Sequence, residues 1–295
     1  MPSMTGAQAL VRSLAREGVR VVFGLPGVQV MHAFDAFYGQ EEVRLVTVRH
    51  EQATTYMADG YARTTGQVGA ALVVPGPGLL NATAGLGTAY ACSSPVFMIA
   101  GQVEGWNLGK ERGALHEVND QLDVVRPLTK WCQRVLRPED IPAAVHEAVR
   151  HLRTGRPRPV EIEVPPDTLG ATAEVALLEP EAYPRQAPDP ALVRQAAQVL
   201  AAARKPLIWA GGGVLASDAS RELTELAHLL GAAVITTPEG KGAIPESDPY
   251  ALGCAYYGFG PGHRAVPLAD CVLAVGSRLH LPPTVPWREL LGRNL

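Results

Sequence analysis

The stretch VRLVTVRHEQATTYMADGYART, residues 43–64, changes from one periodicity to another within a few positions. It opens with a mostly apolar run that is typical of a buried strand, and a helical pattern begins at about Gln52. Arg49, His50 and Glu51 stand between the two, so a carboxylate is expected at the tip of a buried strand. A glutamate there either complements the positive end of the helix dipole or serves as a catalytic acid, and this stretch alone favours neither.

The same alternation continues along the chain. Apolar runs at 19–24, 68–74 and 95–101 predict strands, and helical patterns separate them. Parallel sheets covered by helices on both faces have this pattern. We therefore expect an α/β domain with a doubly wound parallel sheet, closed by the strand VEIEVP (160–165). Thr5 followed by Gln8 predicts a capping box at the first helix.

A proline-rich segment at 165–190 interrupts this pattern, and no regular element is expected in it. Asp189 and Pro190 then predict the N-cap and first residue of a new helix. Three predicted strands follow in a partial, Rossmann-like second α/β unit, at 206–211, 232–237 and 270–277. The expected organisation is a first domain at 1–168, a linker at 169–188 and a second, apparently incomplete domain at 189–295.

Composition narrows the class of protein. The formal net charge of -3 gives no reason to expect a nucleic acid or an acidic membrane as partner. The sequence has no apolar run of about 18 residues, so no transmembrane helix is expected. The N-terminus lacks the basic start and apolar stretch of a secretion signal. The cysteines are scattered without a CxxC pair, so we expect reduced, mostly buried thiols in a cytoplasmic protein and no metal site. They are Cys92, Cys132, Cys254 and Cys271.

Three loops of the first domain follow predicted strands, at the edge where ligands bind in a doubly wound sheet. They are Leu25-Pro26-Gly27, Arg49-His50-Glu51, and Pro75–Gly78 with Asn81 one helical turn further on. Glycines allow a ligand to approach the backbone closely, and prolines make the loops rigid. The spacing predicts a ligand site that contains a carboxylate, and it does not identify the ligand.

Four motifs in this order resemble the pyrimidine-binding domain of thiamine-diphosphate enzymes, and the acetolactate synthase (acetohydroxyacid synthase) and pyruvate oxidase branch most of all. The likeness covers about the first 165 residues, and later stretches such as KPLIWAGGGV (205–214) resemble the family's central domain. The four motifs are GVRVVFGLPG (18–27), VRHEQATTYMADGYART (48–64), VPGPGLLNATAGLGTAY (74–90) and PVFMIAGQV (95–103).

The resemblance implies a catalytic role for Glu51. In the family, a carboxyl group hydrogen-bonded to N1′ of the cofactor's aminopyrimidine favours the imino tautomer, whose exocyclic nitrogen accepts the thiazolium proton. Partial desolvation of that carboxyl is expected, so that its pKa rises toward neutrality. The resemblance also implies that Pro26 and Gly27 lie against the aminopyrimidine. Pro77, Gly78 and Asn81 are expected to line the opposite part of the pocket. For His50 we expect only that it fixes the loop.

One loop departs from the acetolactate synthase pattern. Where that group usually has Phe-Gln-Glu, this chain has Leu115–Gln121, and counting back from RPLTK sets Glu117 where the glutamine is expected. Glu117 is therefore either a cofactor-site residue or a solvated loop acid. A 2-oxo acid such as pyruvate is the main expectation for the substrate. Oxalyl-CoA decarboxylase-like and sulfoacetaldehyde-processing lyases stay open as alternatives.

The family's diphosphate site, a Gly-Asp-Gly stretch followed by an Asn that together hold Mg²⁺, does not occur in this sequence. We therefore expect that the chain is a fragment of a longer protein, a component of a split enzyme, or an inactive remnant. The thin second sheet favours a fragment. A non-catalytic nucleotide-binding regulator is a further alternative. GGGV (211–214) could accommodate FAD, although glycines of a tight turn explain it better. A homo-oligomer, formed as a dimer through the first domain, is also expected.

Overall fold

The computed structural model describes residues 2–254 and 260–279. They form two compact units that divide between Pro184 and Arg185. The domain boundaries expected at residues 168 and 188 stay predictions.

The first unit is built on a six-stranded sheet in which all neighbouring strands are parallel, as the sequence predicted. The strands of the unit are β1 (Ser3–Thr5), β2 (Val21–Gly24), β3 (Arg44–Thr47), β4 (Gly69–Val73), β5 (Val96–Gly101), β6 (Trp131–Arg134), β7 (Val160–Val164) and β8 (Thr172–Glu174). Their order across the large sheet is β3-β2-β4-β5-β7-β6, and β1 pairs with β8 in a separate antiparallel pair.

Helices of the first unit connect these strands. They are α1 (Gly6–Arg16), α2 (Met31–Ala36), α3 (Glu51–Thr65), α4 (Pro77–Cys92), α5 (Gln121–Val125), α6 (Ile141–Arg153) and α7 (Pro166–Gly170). The predicted capping box is confirmed, because Gln8 N donates to Thr5 Oγ1 (3.2 Å) and Thr5 N donates to Gln8 Oε1 (3.0 Å). The apolar face of α1 is buried at Leu10 and Leu14, so this cap starts a helix that packs into the core.

Helices α3 and α4 pack closely, and the small residues of α4 make this contact within the chain. A Cβ on Gly85 would lie 2.4 Å from Thr55 Oγ1, so only glycine fits there. Thr55 Oγ1 also donates to Ala82 O (2.7 Å), which joins the two helices in their buried interface. Packing within the chain therefore accounts for the small residues of α4 at this contact. The dimer stays a prediction.

Two elements of the first unit correct the sequence analysis. Strand β6 was not predicted, because its four residues are at most half-buried and lack an apolar run. The expectation that no regular element lies in 165–190 is wrong for α7 and β8. Pro166 occupies the start of α7, where a missing N–H costs no intrahelical hydrogen bond, so this proline does not interrupt the helix.

The second unit has a four-stranded parallel sheet of order β11-β10-β9-β12. Asp189 Oδ1 accepts from Ala191 N (2.8 Å) at the start of α8, so the predicted cap is confirmed. The strands are β9 (Pro206–Ala210), β10 (Ala233–Thr236), β11 (Ala251–Cys254) and β12 (Cys271–Val275). The helices are α8 (Pro190–Ala202), α9 (Gly212–Ala216), α10 (Ser220–Leu230) and α11 (Pro261–Ala265).

The prediction of three strands in this unit is wrong, because a fourth strand, β11, lies between the predicted strands at 232–237 and 270–277. It is short and contains Gly253 at a φ of +76°, so it carries no strand signal in the sequence. This fourth strand removes the reason for regarding the second sheet as thin. Residues 280–295 of the predicted second domain lie outside the described residues.

All four cysteines are within the described part of the chain, and none of them forms a disulfide. The expectation of mostly buried thiols is wrong, since Cys254 is exposed and the other three are half-buried. In 2–254 and 260–279, no helix has both the length and the apolar character needed to cross a bilayer.

Strand β7 buries a carboxyl group without a hydrogen-bond partner. Glu161 is fully buried, and neither of its carboxyl oxygens has a hydrogen-bond partner among the residues that the structure describes. Burial, and then the neighbouring Glu163 carboxylate, raise the pKa of Glu161 well above its usual value. Folded protein therefore binds a proton that the unfolded chain releases, and the free energy of unfolding falls as pH rises between the two pKa values.

Glu161→Gln should remove this loss of stability. We expect the variant to gain about 1.4 kcal/mol over the parent for each pH unit above the unfolded pKa of Glu161, until the folded pKa is reached. Urea unfolding from pH 4 to pH 8 measures it, with exposed Glu174→Gln as control. Parallel stability curves for Glu161→Gln and the parent would contradict the burial of an unpartnered carboxyl.

Candidate active site

Three loops meet at the carboxyl edge of β3, β2 and β4, which are neighbours in the sheet. The backbone joins them where the strands end, because Val48 N donates to Gly24 O (3.0 Å) and Leu25 N donates to Leu72 O (3.1 Å). The loop motifs that the sequence singled out therefore start at the same edge. This is the edge at which ligands bind in doubly wound sheets.

Glu51 is the first residue of α3 and is half-buried. Asn81 Nδ2, on α4, donates to Glu51 Oε2 (3.0 Å), so two of the predicted site residues are in direct contact. His50 is the N-cap of α3, where its Nδ1 accepts from Gln52 N (3.1 Å). His50 thus fixes the start of the helix, as expected, and Arg49 beside it is exposed.

Val74 separates the glycines of two loops and was missed by the sequence analysis. A Cβ on Gly27 would lie 2.4 Å from Val74 Cγ1, and a Cβ on Gly78 would lie 2.5 Å from Val74 Cγ2. The same Cβ on Gly78 would lie 3.7 Å from Glu51 Cγ. One buried, β-branched side chain therefore sets the separation of the Gly27 loop and the start of α4.

The turn before α4 depends on a second residue that the sequence analysis missed. Gly76 has a φ of +54°, and a Cβ there would lie 2.3 Å from His116 O. Its N–H donates to Oε1 of the buried Gln121 (3.0 Å). In the sequence Gln121 is the last residue of a polar loop, and only a contact 45 positions away reveals its place in the site.

Pro26 and Pro77 are exposed, on the loop after β2 and at the start of α4 respectively. Glu117 is half-buried, and its Oε2 accepts from Gly113 N (2.7 Å) and Ala114 N (2.9 Å). The Glu117 carboxylate thus closes its own loop. Gln29 Nε2 donates to Leu115 O (3.0 Å) and ties this loop to the segment after Gly27.

These residues fit an aminopyrimidine. The ring has apolar faces and a polar edge of nitrogen donors and acceptors. The loops at this edge of the sheet carry two prolines, a carboxyl and a side-chain amide. The Asn81 amide donates to Glu51 Oε2 and makes no hydrogen bond to Glu51 Oε1. A carboxyl group such as that of Glu51 can hold or release a proton at a ring nitrogen.

In the second unit, the glycines of GGGV pack against the backbone of the neighbouring strand end. A Cβ on Gly211 would lie 2.3 Å from Gly276 O, and one on Gly213 would lie 2.6 Å from Gly276 Cα. Close approach of two backbones explains both glycines, in agreement with the tight-turn interpretation. FAD binding by this unit stays an alternative.

Comparison with known proteins agrees with the two units. Residues 4–124 match the family model of the N-terminal TPP binding domain of thiamine pyrophosphate enzymes, and residues 193–290 match that of their central domain. Thiamine pyrophosphate is another name for thiamine diphosphate. The chain belongs to the thiamine pyrophosphate enzyme family.

Within that family the chain is similar to acetolactate synthase large subunits. It is 38% identical over 283 residues to the probable large subunit of Methanocaldococcus jannaschii, which covers 93% of this chain and 47% of the relative. It is 36% identical over 285 residues to the isozyme 3 large subunit of Escherichia coli, with coverage of 94% and 49%.

A relative with another name is equally similar. The probable 2-ketoarginine decarboxylase of Pseudomonas aeruginosa is 39% identical over 295 residues, with 98% of this chain and 51% of the relative covered. The chain spans about half the length of the curated relatives it matches.

The contact between Gly78 and Val74 can be tested by volume. Gly78→Ala should lower the free energy of unfolding by roughly 1–3 kcal/mol, because its methyl overlaps Val74 Cγ2. Gly60→Ala is the matched control, since a Cβ there meets nothing within 4 Å, and it should stabilise α3 by about 0.5–1 kcal/mol.

Chemical denaturation of Gly78→Ala, of Val74→Ala and of the double variant completes the test. The second substitution should cost less in the Gly78→Ala background than in the parent, since it removes the methyl that is overlapped. Strictly additive effects would show that Val74 does not set the position of α4.

Proposed function

We propose that this chain forms the pyrimidine-binding half of a thiamine-diphosphate site in an acetolactate-synthase-like enzyme. The enzyme would decarboxylate a 2-oxo acid such as pyruvate and transfer the resulting carbanion to an acceptor, as a step in branched-chain amino acid biosynthesis. The contact of Glu51 with Asn81 at the shared edge of three strands is the observation that carries this proposal. The family membership and the acetolactate synthase relatives support it.

Glu51 would hold a proton at N1′ of the aminopyrimidine. When bound, the cofactor supplies an electron sink for cleavage of the bond next to a carbonyl group. Asn81 would orient the Glu51 carboxyl through Oε2, which would leave Oε1 for the ring nitrogen. Pro26 and Gly27 would lie against one part of the ring, and Pro77 and Gly78 against the other.

The other half of the site would come from a diphosphate-binding domain that holds Mg²⁺, either in the remainder of the protein or in a second chain. Under this proposal the 295-residue chain alone has little affinity for thiamine diphosphate and no turnover. Assembly as a homo-oligomer and a cytoplasmic location belong to the same proposal. Glu117 is the candidate contact from the 113–117 loop.

A second candidate function is decarboxylation of a 2-oxo acid without transfer to an acceptor. It is favoured by the 39% identity to the probable 2-ketoarginine decarboxylase, which extends over 98% of this chain. Assays of the assembled enzyme with pyruvate and with 2-ketoarginine separate the two. Acetolactate from pyruvate supports the first function, and carbon dioxide release from 2-ketoarginine without a ligation product supports the second.

Glu51→Gln tests the catalytic assignment. In the chain reconstituted with the diphosphate-binding domain of a related large subunit, we expect kcat to fall by about 10²-fold or more, because an amide cannot exchange a proton with N1′. Steady-state kinetics and calorimetry with thiamine diphosphate measure this, with exposed Glu41→Gln as control. Full activity of the Glu51→Gln enzyme would exclude the role.

A further inference from the structure

The side chain of Gln121 makes hydrogen bonds to residues at or just after the ends of three neighbouring strands. Its Oε1 accepts from Gly76 N (3.0 Å), and its Nε2 donates to Gly101 O (2.9 Å) and to Glu163 Oε2 (2.8 Å). Gly101 and Glu163 belong to the ends of β5 and β7, and Gly76 lies in the turn after β4. These three strands lie side by side in the sheet. The amide is fully buried, and both of its ends are hydrogen-bonded.

Charge fixes which way this amide points. Glu163 is fully buried and its Oε1 accepts from Arg134 Nε, while Arg134 Nη2 donates to Asp120 Oδ1 (3.2 Å). A carboxylate held by an arginine accepts hydrogen bonds and cannot donate, so the NH₂ of Gln121 has to face Glu163. The Gln121 oxygen is thereby directed at the N–H of Gly76.

Gly76 transmits this constraint to the active site. Its φ of +54° and the 2.3 Å between a would-be Cβ and His116 O leave the turn little freedom. Helix α4 starts directly after Gly76 and has no side-chain N-cap. Asn81, on the same helix, then reaches Glu51 (3.0 Å). A shift of Gly76 would therefore move Asn81 relative to Glu51.

We propose that Gln121 is a positioning residue, which sets the contact of Asn81 with Glu51 by anchoring the Gly76 N–H to the ends of β5 and β7. Its importance for catalysis rests on the proposed function, whereas its effect on the Asn81–Glu51 pair does not. Asp120, Glu163 and Arg134 are the charged groups around it. They hold the amide in one orientation, and none of them contacts Glu51 in the described residues.

Gln121→Glu provides a variant of equal size whose hydrogen bonding depends on pH. A protonated glutamic acid can accept from Gly76 and donate to Glu163, as glutamine does, but its single O–H cannot also replace the hydrogen bond to Gly101 O. Once ionised, it can still accept from Gly76 N, but it has no proton to donate to Gly101 O or Glu163. The two carboxylates then repel each other, so the anchor to β5 and β7 fails as pH rises. Gln121→Leu removes the anchor at every pH and shows the end point.

NMR spectroscopy of the 295-residue chain measures the effect without any cofactor. In Gln121→Glu, the Gly76 backbone amide and the Asn81 side-chain amide signals should move together with one midpoint, from parent-like positions at low pH to those of Gln121→Leu. The parent chain, recorded over the same pH range, is the reference. Glu51→Gln gives the Asn81 signal without a carboxylate partner.

A Gly76 signal that titrates while Asn81 follows the parent curve would overturn the proposal, since Gln121 would then only stabilise the fold. In the reconstituted enzyme, the KM for thiamine diphosphate of Gln121→Glu should rise about tenfold across the same pH range. A KM that does not change would also overturn the positioning role. Full activity of Glu51→Gln would instead refute the proposed function and leave the NMR outcome untouched.

Discussion

Parallel pairing of β3, β2 and β4 is the constraint on which the candidate site depends. The register Phe23–Val46 and Phe23–Ala71 aligns the three strands, so that their carboxyl ends, and the loops that follow, start at one edge. Residues that are about 50 positions apart in sequence, such as Pro26 and Pro77, are brought to this edge by the sheet. A slip of one strand would move Glu51 away from Asn81 and reverse the buried face of that strand.

Packing then converts this alignment into a defined geometry. Val74 lies between Gly27 and Gly78, and Gln121 holds Gly76, so the start of α4 is fixed from two sides. Strand β7 carries two buried carboxyl groups that differ in their hydrogen bonding. Glu163 is paired with Arg134 and Gln121, whereas Glu161 has no hydrogen-bond partner within 2–254 and 260–279 and its pKa is raised.

Much of this arrangement could be predicted from the sequence. The long, periodic elements are confirmed, and the loop motifs identified Glu51 and Asn81, which the structure joins. Short elements such as β6 and β11 could not be predicted, because they are half-buried and lack an apolar pattern. The place of Gln121 depends on contacts 20, 42 and 45 positions away, and no local pattern carries that information.

Residue types alone also could not distinguish two glutamates that follow different strands of the same sheet. Glu117 and Glu51 both follow strands of one sheet, but Glu117 accepts from the backbone of its own loop while Glu51 contacts a side chain from another helix. The difference is one of tertiary geometry.

The most direct measurement is a crystal structure of the assembled enzyme with thiamine diphosphate and Mg²⁺. A carboxyl oxygen of Glu51 should lie about 2.7 Å from N1′ of the aminopyrimidine, with the Asn81 amide still on the other oxygen. A pyrimidine ring bound elsewhere, with Glu51 directed into solvent, would contradict the account.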